Sequence, residues 1–297
     1  MYTAEISRVN PSMILFLLDQ SGSMSDVIDP SNVQPMKEPV VVDGRTYTHT
    51  AAGQTKAQFL ADGINRLLQN LCIKCAKEEG VRDYFHVGVI GYGTSVGPTF
   101  TASLAGRDLV PLSEVAGTPA RVEKRNKKVS DGAGGLVDQE VKFPVWFDAT
   151  ANGGTPMCTA LQEATRVVQD WLKQHPNCFP PVIINITDGE STDGDPTVPA
   201  SALKSLASTD GQVLLFNLHI SSQGSQPIEF PNTDTRLPDQ YAKQLFEMSS
   251  TLTPSMANVA KQEGFSVGEG ARGFVFNADM VAAIKFLDIG TRPSNLR

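Results

Sequence analysis

The stretch MILFLLDQSGS, residues 13–23, decides the fold prediction. Its first six residues are apolar, and an uninterrupted apolar run of this length is typical of a strand buried on both faces. The composition then changes abruptly to acidic and hydroxylic side chains, beginning at Asp19. Ligands of open α/β sheets bind just beyond the carboxyl ends of such strands. The sequence therefore predicts a binding site directly after residue 18.

Three oxygen-bearing side chains follow this strand at spacings of two: Asp19, Ser21 and Ser23. In a near-extended segment, alternate side chains lean to the same side of the chain. Carboxylate and hydroxyl oxygens are hard donors that suit Mg²⁺ or Mn²⁺. A serine-rich turn that caps a helix explains the same residues, so this stretch alone leaves both interpretations open.

Two later stretches carry matching chemistry. NGGTPM, residues 152–157, opens a helical pattern, and IINITDG, residues 183–189, ends a second buried strand in an aspartate. Thr155 also has a simple structural interpretation, as an N-cap followed by proline at the first helical position. The ordered set D-x-S-x-S, G-G-T-P and apolar strand-T-D-G resembles the von Willebrand factor A (vWA) family. There the motifs form the metal-ion-dependent adhesion site, whose five positions correspond here to Asp19, Ser21, Ser23, Thr155 and Asp188.

The resemblance implies a single vWA domain spanning residues 1–297. Its expected fold is α/β, with a doubly wound, mostly parallel, Rossmann-like sheet that has helices on both faces. Typical members of the family are shorter, so we expect insertions at about 25–53 and 93–148. The first contains a predicted hairpin at 40–47, because Asp-Gly favours a tight turn. The second contains a predicted β-hairpin with a glycine-rich tip at 131–135.

Apolar runs alternate with helical patterns along the chain, which predicts one largely parallel sheet. Thr55 and Gln58 form a predicted capping box at the start of the first helix. Asn277 is the predicted cap of the last helix. The predicted strands are residues 12–18, 84–91, 182–187, 213–220 and 273–276.

Composition narrows the class of protein. The formal net charge is −7, which argues against nucleic acid as the main partner. No apolar run approaches the length of a membrane span, and residues 1–11 are too polar for a signal peptide. These features favour a cytoplasmic protein with no membrane partner. Cys72 and Cys75 match C-x-x-C, but they lie in a helical pattern without a second pair, so we expect buried, reduced thiols.

Three further motifs match functional patterns in the wrong context. GTSVG, residues 93–97, matches the nucleophile elbow around Ser95, yet no helical pattern follows it. GEGARG, residues 268–273, matches G-x-G-x-x-G but precedes a strand. DGDPT, residues 193–197, resembles the nucleophile motif of haloacid-dehalogenase-like phosphatases, although Asp193 lies in a polar loop rather than directly after the first buried strand.

The acidic loop after the second buried strand has other interpretations. Asp188, Glu190, Asp193 and Asp195 would supply oxygens for a Ca²⁺ loop, although their spacing differs from that of an EF-hand. We interpret the last three acids as a solvated rim beside the metal.

The family's metal chemistry implies a role for each motif residue. Ser21, Ser23 and Thr155 correspond to the hydroxyl ligands, whereas Asp19 and Asp188 hold water and balance charge. Octahedral Mg²⁺ bound by neutral hydroxyls keeps a position for an incoming carboxylate. The sequence has no P-loop and no histidine near the motifs, so binding is favoured over catalysis.

We therefore expect a protein that is not an enzyme: a Mg²⁺-dependent binding module, with Mn²⁺ or Ca²⁺ as alternative ions. Its expected partner is another protein that supplies an Asp or Glu side chain to the metal. The alternative function is a metal-dependent phosphohydrolase that uses Asp193 or Asp19. The segment GARGFVFNAD, residues 270–279, and the general layout also resemble stand-alone bacterial members of the family. Some of those are tellurite-resistance-associated proteins encoded beside a kinase and a PP2C-type phosphatase, which implies a signalling or stress-response adaptor.

Overall fold

A computed structural model describes residues 2–28, 40–42, 45–47, 54–130, 136–220, 227–278 and 280–291. The predicted hairpin tip at residues 131–135 therefore lies outside the described residues, as does the turn at residues 43–44.

The elements of the described chain are numbered in chain order. The strands of its central sheet are β1 (Ser12–Asp19), β2 (Phe85–Tyr92), β3 (Val96–Pro98), β4 (Val110–Pro111), β5 (Val182–Thr187), β6 (Leu214–Ile220), β7 (Ile228–Glu229) and β8 (Phe274–Ala278). The α-helices are α1 (Lys56–Lys74), α2 (Leu112–Gly117), α3 (Met157–Gln174), α4 (Thr197–Ser205), α5 (Gln240–Met248), α6 (Pro254–Gln262) and α7 (Met280–Thr291).

The central sheet has the strand order β7-β8-β6-β5-β1-β2-β3, and β4 also pairs with β2. Neighbours from β8 to β2 are parallel, whereas β7, β3 and β4 add antiparallel edges. The predicted α/β fold class, a mostly parallel sheet with helices, is confirmed. Among the parallel strands, the chain order changes direction at β1, between β5 and β2. This point is the place where α/β sheets of this order bind ligands.

Helices cover both faces of the sheet because β1 is apolar on both sides. Ile14, Phe16 and Leu18 belong to a core with residues from α1, α2, α6 and α7. The alternate residues of β1 belong to a second core with α3, α4 and α5. Full burial of one such side chain stabilises the fold by about 1.5–3 kcal/mol. The sheet is thus held by apolar packing around β1.

Both predicted hairpins are present. Arg121–Ser130 pairs antiparallel with Leu136–Val145, and Val40–Val42 pairs with Arg45–Tyr47. Three short elements before the larger hairpin were not predicted, namely β3, β4 and α2. Each of these is six residues or shorter, too short to produce a clear hydrophobic period.

The predicted helix caps have different outcomes. Thr55 Oγ1 accepts a hydrogen bond from the backbone N–H of Gln58 at 3.1 Å, whereas the Gln58 side chain bonds Asp62, so only half of the capping box forms. The prediction for Asn277 is wrong. Asn277 lies inside β8 with a left-handed φ of 57°, and its N–H donates to His219 Nδ1 at 3.2 Å.

The four cysteines have the buried, reduced state that the sequence predicts. Cys72, Cys75, Cys158 and Cys178 are buried and unbridged, and burial raises the pKa of Cys72 to about 12. Their thiols are therefore protonated at neutral pH.

Over the part of the chain that the structure describes, no helix combines the length and apolarity needed to cross a membrane.

Candidate metal centre

The candidate site lies where β1 and β5 end side by side. Asp19 is the last residue of β1, Thr187 is the last of β5, and Asp188 follows directly. Parallel pairing of the two strands brings their carboxyl ends to the same edge. The sequence positions these groups correctly because each one directly follows an apolar strand.

Asp19 is held by a set of donors inside the protein. Its side chain is almost fully buried, with the residue only 1% exposed. Oδ1 accepts from the Ser21 backbone N–H at 2.8 Å, and Oδ2 accepts from the Thr187 hydroxyl at 2.6 Å. Burial raises the pKa of Asp19, and the hydrogen bonds from Ser21 and Thr187 oppose this change. The carboxyl group therefore has a fixed orientation at the end of β1.

A chain of hydroxyl groups connects the first motif to the third. Ser21 Oγ and Ser23 Oγ lie 3.0 Å apart, within hydrogen-bond distance. The Ser23 hydroxyl donates to Asp188 Oδ1 at 2.8 Å. Four of the five predicted site residues, Asp19, Ser21, Ser23 and Asp188, thus form one connected group, although they come from stretches about 165 residues apart.

The loop that carries Thr155 packs against the first motif. The Gly22 N–H donates to the Gly153 carbonyl at 3.0 Å, and the Asn152 N–H donates to the Gln20 carbonyl at 2.7 Å. Gly153 has φ 88°, and a Cβ there would lie 2.5 Å from Thr94 N, so only glycine fits. Thr155 lies two residues beyond this contact.

Thr155 is the fifth predicted site residue, and the hydrogen bonds of the described residues do not join it to the other four. Thr155 is 6% exposed, and its backbone N–H donates to Thr192 Oγ1 at 2.9 Å. Within the described ranges, no hydrogen bond involves its own hydroxyl. A nearly buried hydroxyl of this kind is suited to contact a ligand.

The interpretation of Thr155 as a helix cap is wrong. Helix α3 begins at Met157, after Pro156, and the residue before it makes no side-chain cap. Asp193 instead binds the free N–H groups at this end, accepting from Cys158 N at 3.0 Å and Thr159 N at 2.9 Å. The helix N-terminus therefore takes its cap from a distant loop and leaves the Thr155 hydroxyl available.

Glu190, Asp193 and Asp195 are exposed, as expected for a solvated rim, and two of them have a further role as helix caps. Burial raises the pKa of Asp193, but hydrogen bonds from Thr159 and Cys158 outweigh it and lower the value to about 2. Asp195 bonds the backbone N–H and hydroxyl of Thr197 at 2.9 and 2.7 Å, at the start of α4. These acids are helix caps because their loop crosses two helix N-termini, which carry unpaired N–H groups.

Lys56 lies beside the candidate site, although nothing in the sequence predicted it there. It is the first residue of α1, yet its side chain is only 6% exposed. Its ammonium Nζ lies 2.9 Å from Asp188 Oδ2 and 3.2 Å from Asp26 Oδ2. A lysine at a helix start normally lies in solvent, so its sequence position gave no signal for burial.

His219 also lies close to the site, contrary to the expectation that no histidine would. It is paired in register with Thr187 in the neighbouring strand β6. Burial lowers its pKa to about 4, so the imidazole is neutral at pH 7. Its ring stacks on Phe276 with centroids 4.4 Å apart. The apolar strand Leu214–Ile220 brings this histidine to the sheet edge beside Thr187, although the two residues are far apart in the sequence.

The donor set fits a hard divalent ion. Throughout the described residues, no group of three or more His, Cys, Asp or Glu side chains could hold a metal. An ion at this edge would therefore depend on the hydroxyls of Ser21, Ser23 and Thr155, together with Asp19 and Asp188. Oxygen-only donors suit Mg²⁺, Mn²⁺ or Ca²⁺ better than ions that favour thiolate.

Comparisons of the fold give a consistent set of neighbours. The von Willebrand factor type A protein from Catenulispora acidiphila matches 96% of this chain with 14% identity and a TM-score of 0.43. Proximal thread matrix protein 1 from the mussel byssus, solved with a zinc-occupied MIDAS motif, matches 84% with 16% identity and a TM-score of 0.39. The vWF domain of the pilus tip protein Mfa5 from Porphyromonas gingivalis matches 61% with 14% identity and a TM-score of 0.27.

The neighbours named here include von Willebrand factor domains. At these identities and TM-scores they assign neither a family nor a function to this chain. The matches span 43%, 43% and 39% of the three solved chains. No family model matches the sequence, and no curated protein matches it either.

Proposed function

We propose that this chain is a vWA domain that binds a divalent ion at the carboxyl edge of β1 and β5 and uses the ion to bind another protein. Mg²⁺ is the proposed ion, with Mn²⁺ and Ca²⁺ as alternatives. The proposed ligand is an Asp or Glu side chain of the partner, and no catalytic step is assigned. A bound divalent ion would supply an electrophilic position that accepts a carboxylate oxygen.

The observation that carries this proposal is the connected group of hydroxyls and carboxylates at the switch point of the sheet. Ser21, Ser23 and Asp188 are linked by hydrogen bonds of 3.0 and 2.8 Å. Thr155 adds a nearly buried hydroxyl without a hydrogen bond among the described residues. Oxygen donors from two separate stretches thus meet at one place, and the loop that carries Thr155 packs beside them through the Gly22–Gly153 hydrogen bond.

Each residue has a distinct part in the proposed site. Ser21, Ser23 and Thr155 would supply neutral hydroxyl oxygens to the ion. Asp19 is fixed by Ser21 N and the Thr187 hydroxyl, so it would act as a rigid acceptor for water around the ion. The neutral hydroxyls leave most of the ion's charge for the partner carboxylate.

A polar cleft beside the site would receive the rest of the partner. It has a volume of about 250 Å³ and begins at Gln20, the residue after Asp19. Three hydroxyl-bearing residues, Ser95, Thr99 and Thr150, are among those that line it. Hydroxyl groups can donate or accept, so this surface suits backbone amides and polar side chains next to a partner's acidic residue.

The proposed setting is a cytoplasmic adaptor in a bacterial signalling or stress-response system, with a kinase or a PP2C-type phosphatase as candidate partners. The support for this part is the resemblance of residues 270–279 to stand-alone members of the vWA family.

The geometry disfavours the rival phosphohydrolase. An aspartate nucleophile needs a free carboxylate oxygen that faces the substrate. Both oxygens of Asp193 are occupied, since Oδ1 accepts from Cys158 N and the Ser191 hydroxyl, and Oδ2 accepts from Thr159. Asp19 is 1% exposed, and its two oxygens also accept hydrogen bonds.

The test of the proposal is linkage between ion and partner. A partner isolated by affinity capture is titrated calorimetrically against the protein with Mg²⁺ and with chelator. Mg²⁺ should raise partner affinity by about 5–150-fold, the usual range of coupling between linked sites. Thr155→Ala should remove this difference, whereas Thr165→Ala, a threonine on α3 whose hydroxyl bonds the Leu161 carbonyl, should retain it. Equal affinity in both buffers for the wild-type protein would refute the proposal.

A further inference from the structure

Lys56 places a positive charge against the carboxylate that the proposed site needs. Its Nζ lies 2.9 Å from Asp188 Oδ2, while Asp188 Oδ1 accepts from Ser23. Both oxygens of Asp188 are therefore engaged within the protein. The side chains of Lys56 and Asp188 are 6% and 0% exposed, so water screens this pair poorly.

The buried ammonium changes the charge of the site. Asp19 and Asp188 are the two carboxylates of the predicted donor set, and Lys56 compensates one of them. A divalent ion that enters beside Ser23 and Asp188 meets this ammonium at short range. Like charges in a poorly solvated site repel each other strongly, so the affinity for the ion is lowered.

A second carboxylate is within reach of the same ammonium. Asp26 Oδ2 lies 3.2 Å from Lys56 Nζ, and the Asp26 side chain is 59% exposed. The Lys56 backbone N–H also donates to the Asp26 carbonyl at 3.0 Å, which fixes the two residues next to each other. Asp26 can thus hold the ammonium after Asp188 is released, and its exposure lets water solvate the displaced charge.

We propose that Lys56 is a built-in counter-cation that sets the divalent-ion affinity of this site. Without the ion it is shared between Asp188 and Asp26, and on ion binding it shifts to Asp26. The inference rests on the proposed function and concerns the same site. Because the Lys56 charge lowers the affinity for the ion, the site would be occupied only when the ion is abundant or when a partner carboxylate helps to hold the ion.

The test measures binding of Mg²⁺ and of Mn²⁺ to the purified chain by calorimetry. Lys56→Met keeps the length of the side chain without its charge. It should bind the ion about tenfold more tightly or better, because residues around a metal site change affinity on that scale. Lys74→Met is the matched control, since Lys74 Nζ also lies 2.9 Å from a carboxylate, that of Asp288 in α7. Its ion affinity should equal that of the wild-type protein.

Asp26→Asn tests the proposed shift separately. Loss of the second carboxylate should weaken ion binding in the wild-type background and have no effect in the Lys56→Met background. The difference between the effects of Asp26→Asn on ion affinity in the two backgrounds measures the coupling between Asp26 and Lys56. Asp26 is exposed, so this variant should fold even where Lys56→Met does not. Lys56→Arg keeps the charge and should not gain affinity.

The outcomes separate this inference from the proposed function. Equal ion affinity of the wild-type protein and folded Lys56→Met would overturn the role of Lys56 and leave the metal site standing. Ion binding by Lys56→Met alone would support the counter-cation and overturn the ion dependence proposed for the wild-type protein. Absence of ion binding by both would overturn both proposals.

Discussion

Two ion pairs in this molecule have the same kind of chemistry and opposite surroundings. Lys56 and Asp188, at the carboxyl edge of the sheet, are 6% and 0% exposed and lie 2.9 Å apart. Arg121 and Asp148, at the base of the long hairpin, are 46% and 59% exposed and lie 2.6 Å apart. The distances are similar, so solvent rather than geometry distinguishes the pairs.

Burial determines what each pair does for the protein. The hairpin pair remains hydrated, and its removal changes little because water solvates the freed charge. The pair at the sheet edge has given up its water, so each charge depends on the other. Removal of one carboxylate should therefore lower the free energy of unfolding several times more at the sheet edge than at the hairpin.

Other basic residues of the hairpin also pair with acids of the same chain, with different degrees of exposure. Arg125 bonds Asp62 and Glu123 at 2.9 and 2.7 Å and lies 3.7 Å over the Phe143 ring. Lys124 pairs with Glu140 at 2.9 Å. Lys124 and Glu140 are 75% and 58% exposed, like Arg121 and Asp148, whereas Arg125 and Asp62 are 29% and 22% exposed and lie between the two kinds.

The largest expected effect follows from Asp188→Ala. This change leaves the Lys56 ammonium in a poorly solvated place with only Asp26 beside it. Breaking a buried ion pair from one side destabilises proteins by about 3–5 kcal/mol, and exposed Asp26 should keep the value near the lower end. Urea unfolding in the presence of chelator measures the free-energy change without any contribution from metal.

The double variant Asp188→Ala with Lys56→Met supplies the control. It removes both charges, so it should be more stable than Asp188→Ala alone. A double variant that is as unstable as, or less stable than, Asp188→Ala would show that packing around Asp188, rather than the unpaired ammonium, causes the loss.

An intermediate effect is expected from Asp193→Ala at the N-terminus of α3. Loss of the bonds to Cys158 N and Thr159 N should cost about 1 kcal/mol, as for other N-caps. The folded pKa of Asp193 is about 2 and its ordinary value is 3.8. The carboxylate therefore stabilises the fold fully above about pH 4, and this contribution is lost as pH falls through about 2.

Urea unfolding of wild-type and Asp193→Ala proteins at several pH values measures this contribution. Their difference in unfolding free energy should be constant near neutral pH and shrink below about pH 4. Asp193→Asn keeps an acceptor oxygen and should retain part of the stability without the pH dependence. A difference that grows on acidification would contradict the assignment of Asp193 as the cap.

The parallel sheet and the position of the candidate site were predictable because they depend on local signals. The apolar run of residues 13–18 requires a strand that is buried on both faces, and the polar residue after it must lie at the sheet edge. The same rule placed Asp188 after residues 182–187. Both strands pair in parallel as expected. The candidate site residues lie at strand ends, and the end of an apolar run shows in the sequence where a strand ends.

Contacts between distant segments were not predictable in the same way. Lys56 and Asp188 are separated by 132 residues, and nothing near Lys56 distinguishes it from a lysine in solvent. Asp193 looked like a loop acid because its targets, the first N–H groups of α3, lie 34 and 35 residues earlier. Such interactions depend on how loops cross helix ends, which hydrophobic periodicity does not specify.

The smallest loss of unfolding free energy is expected at the base of the hairpin. Asp148→Ala removes the partner of Arg121 but leaves Glu123, which lies 2.8 Å from the same guanidinium. Hydrogen bonds from Arg121 lower the pKa of Asp148, yet solvent screens the pair, so the loss should stay below about 1 kcal/mol. High salt should reduce it further, whereas the loss caused by Asp188→Ala should change little, because screening acts mainly on exposed charges. Urea unfolding of both variants at low and high salt measures this contrast. An equal salt dependence would mean that burial does not distinguish the two ion pairs.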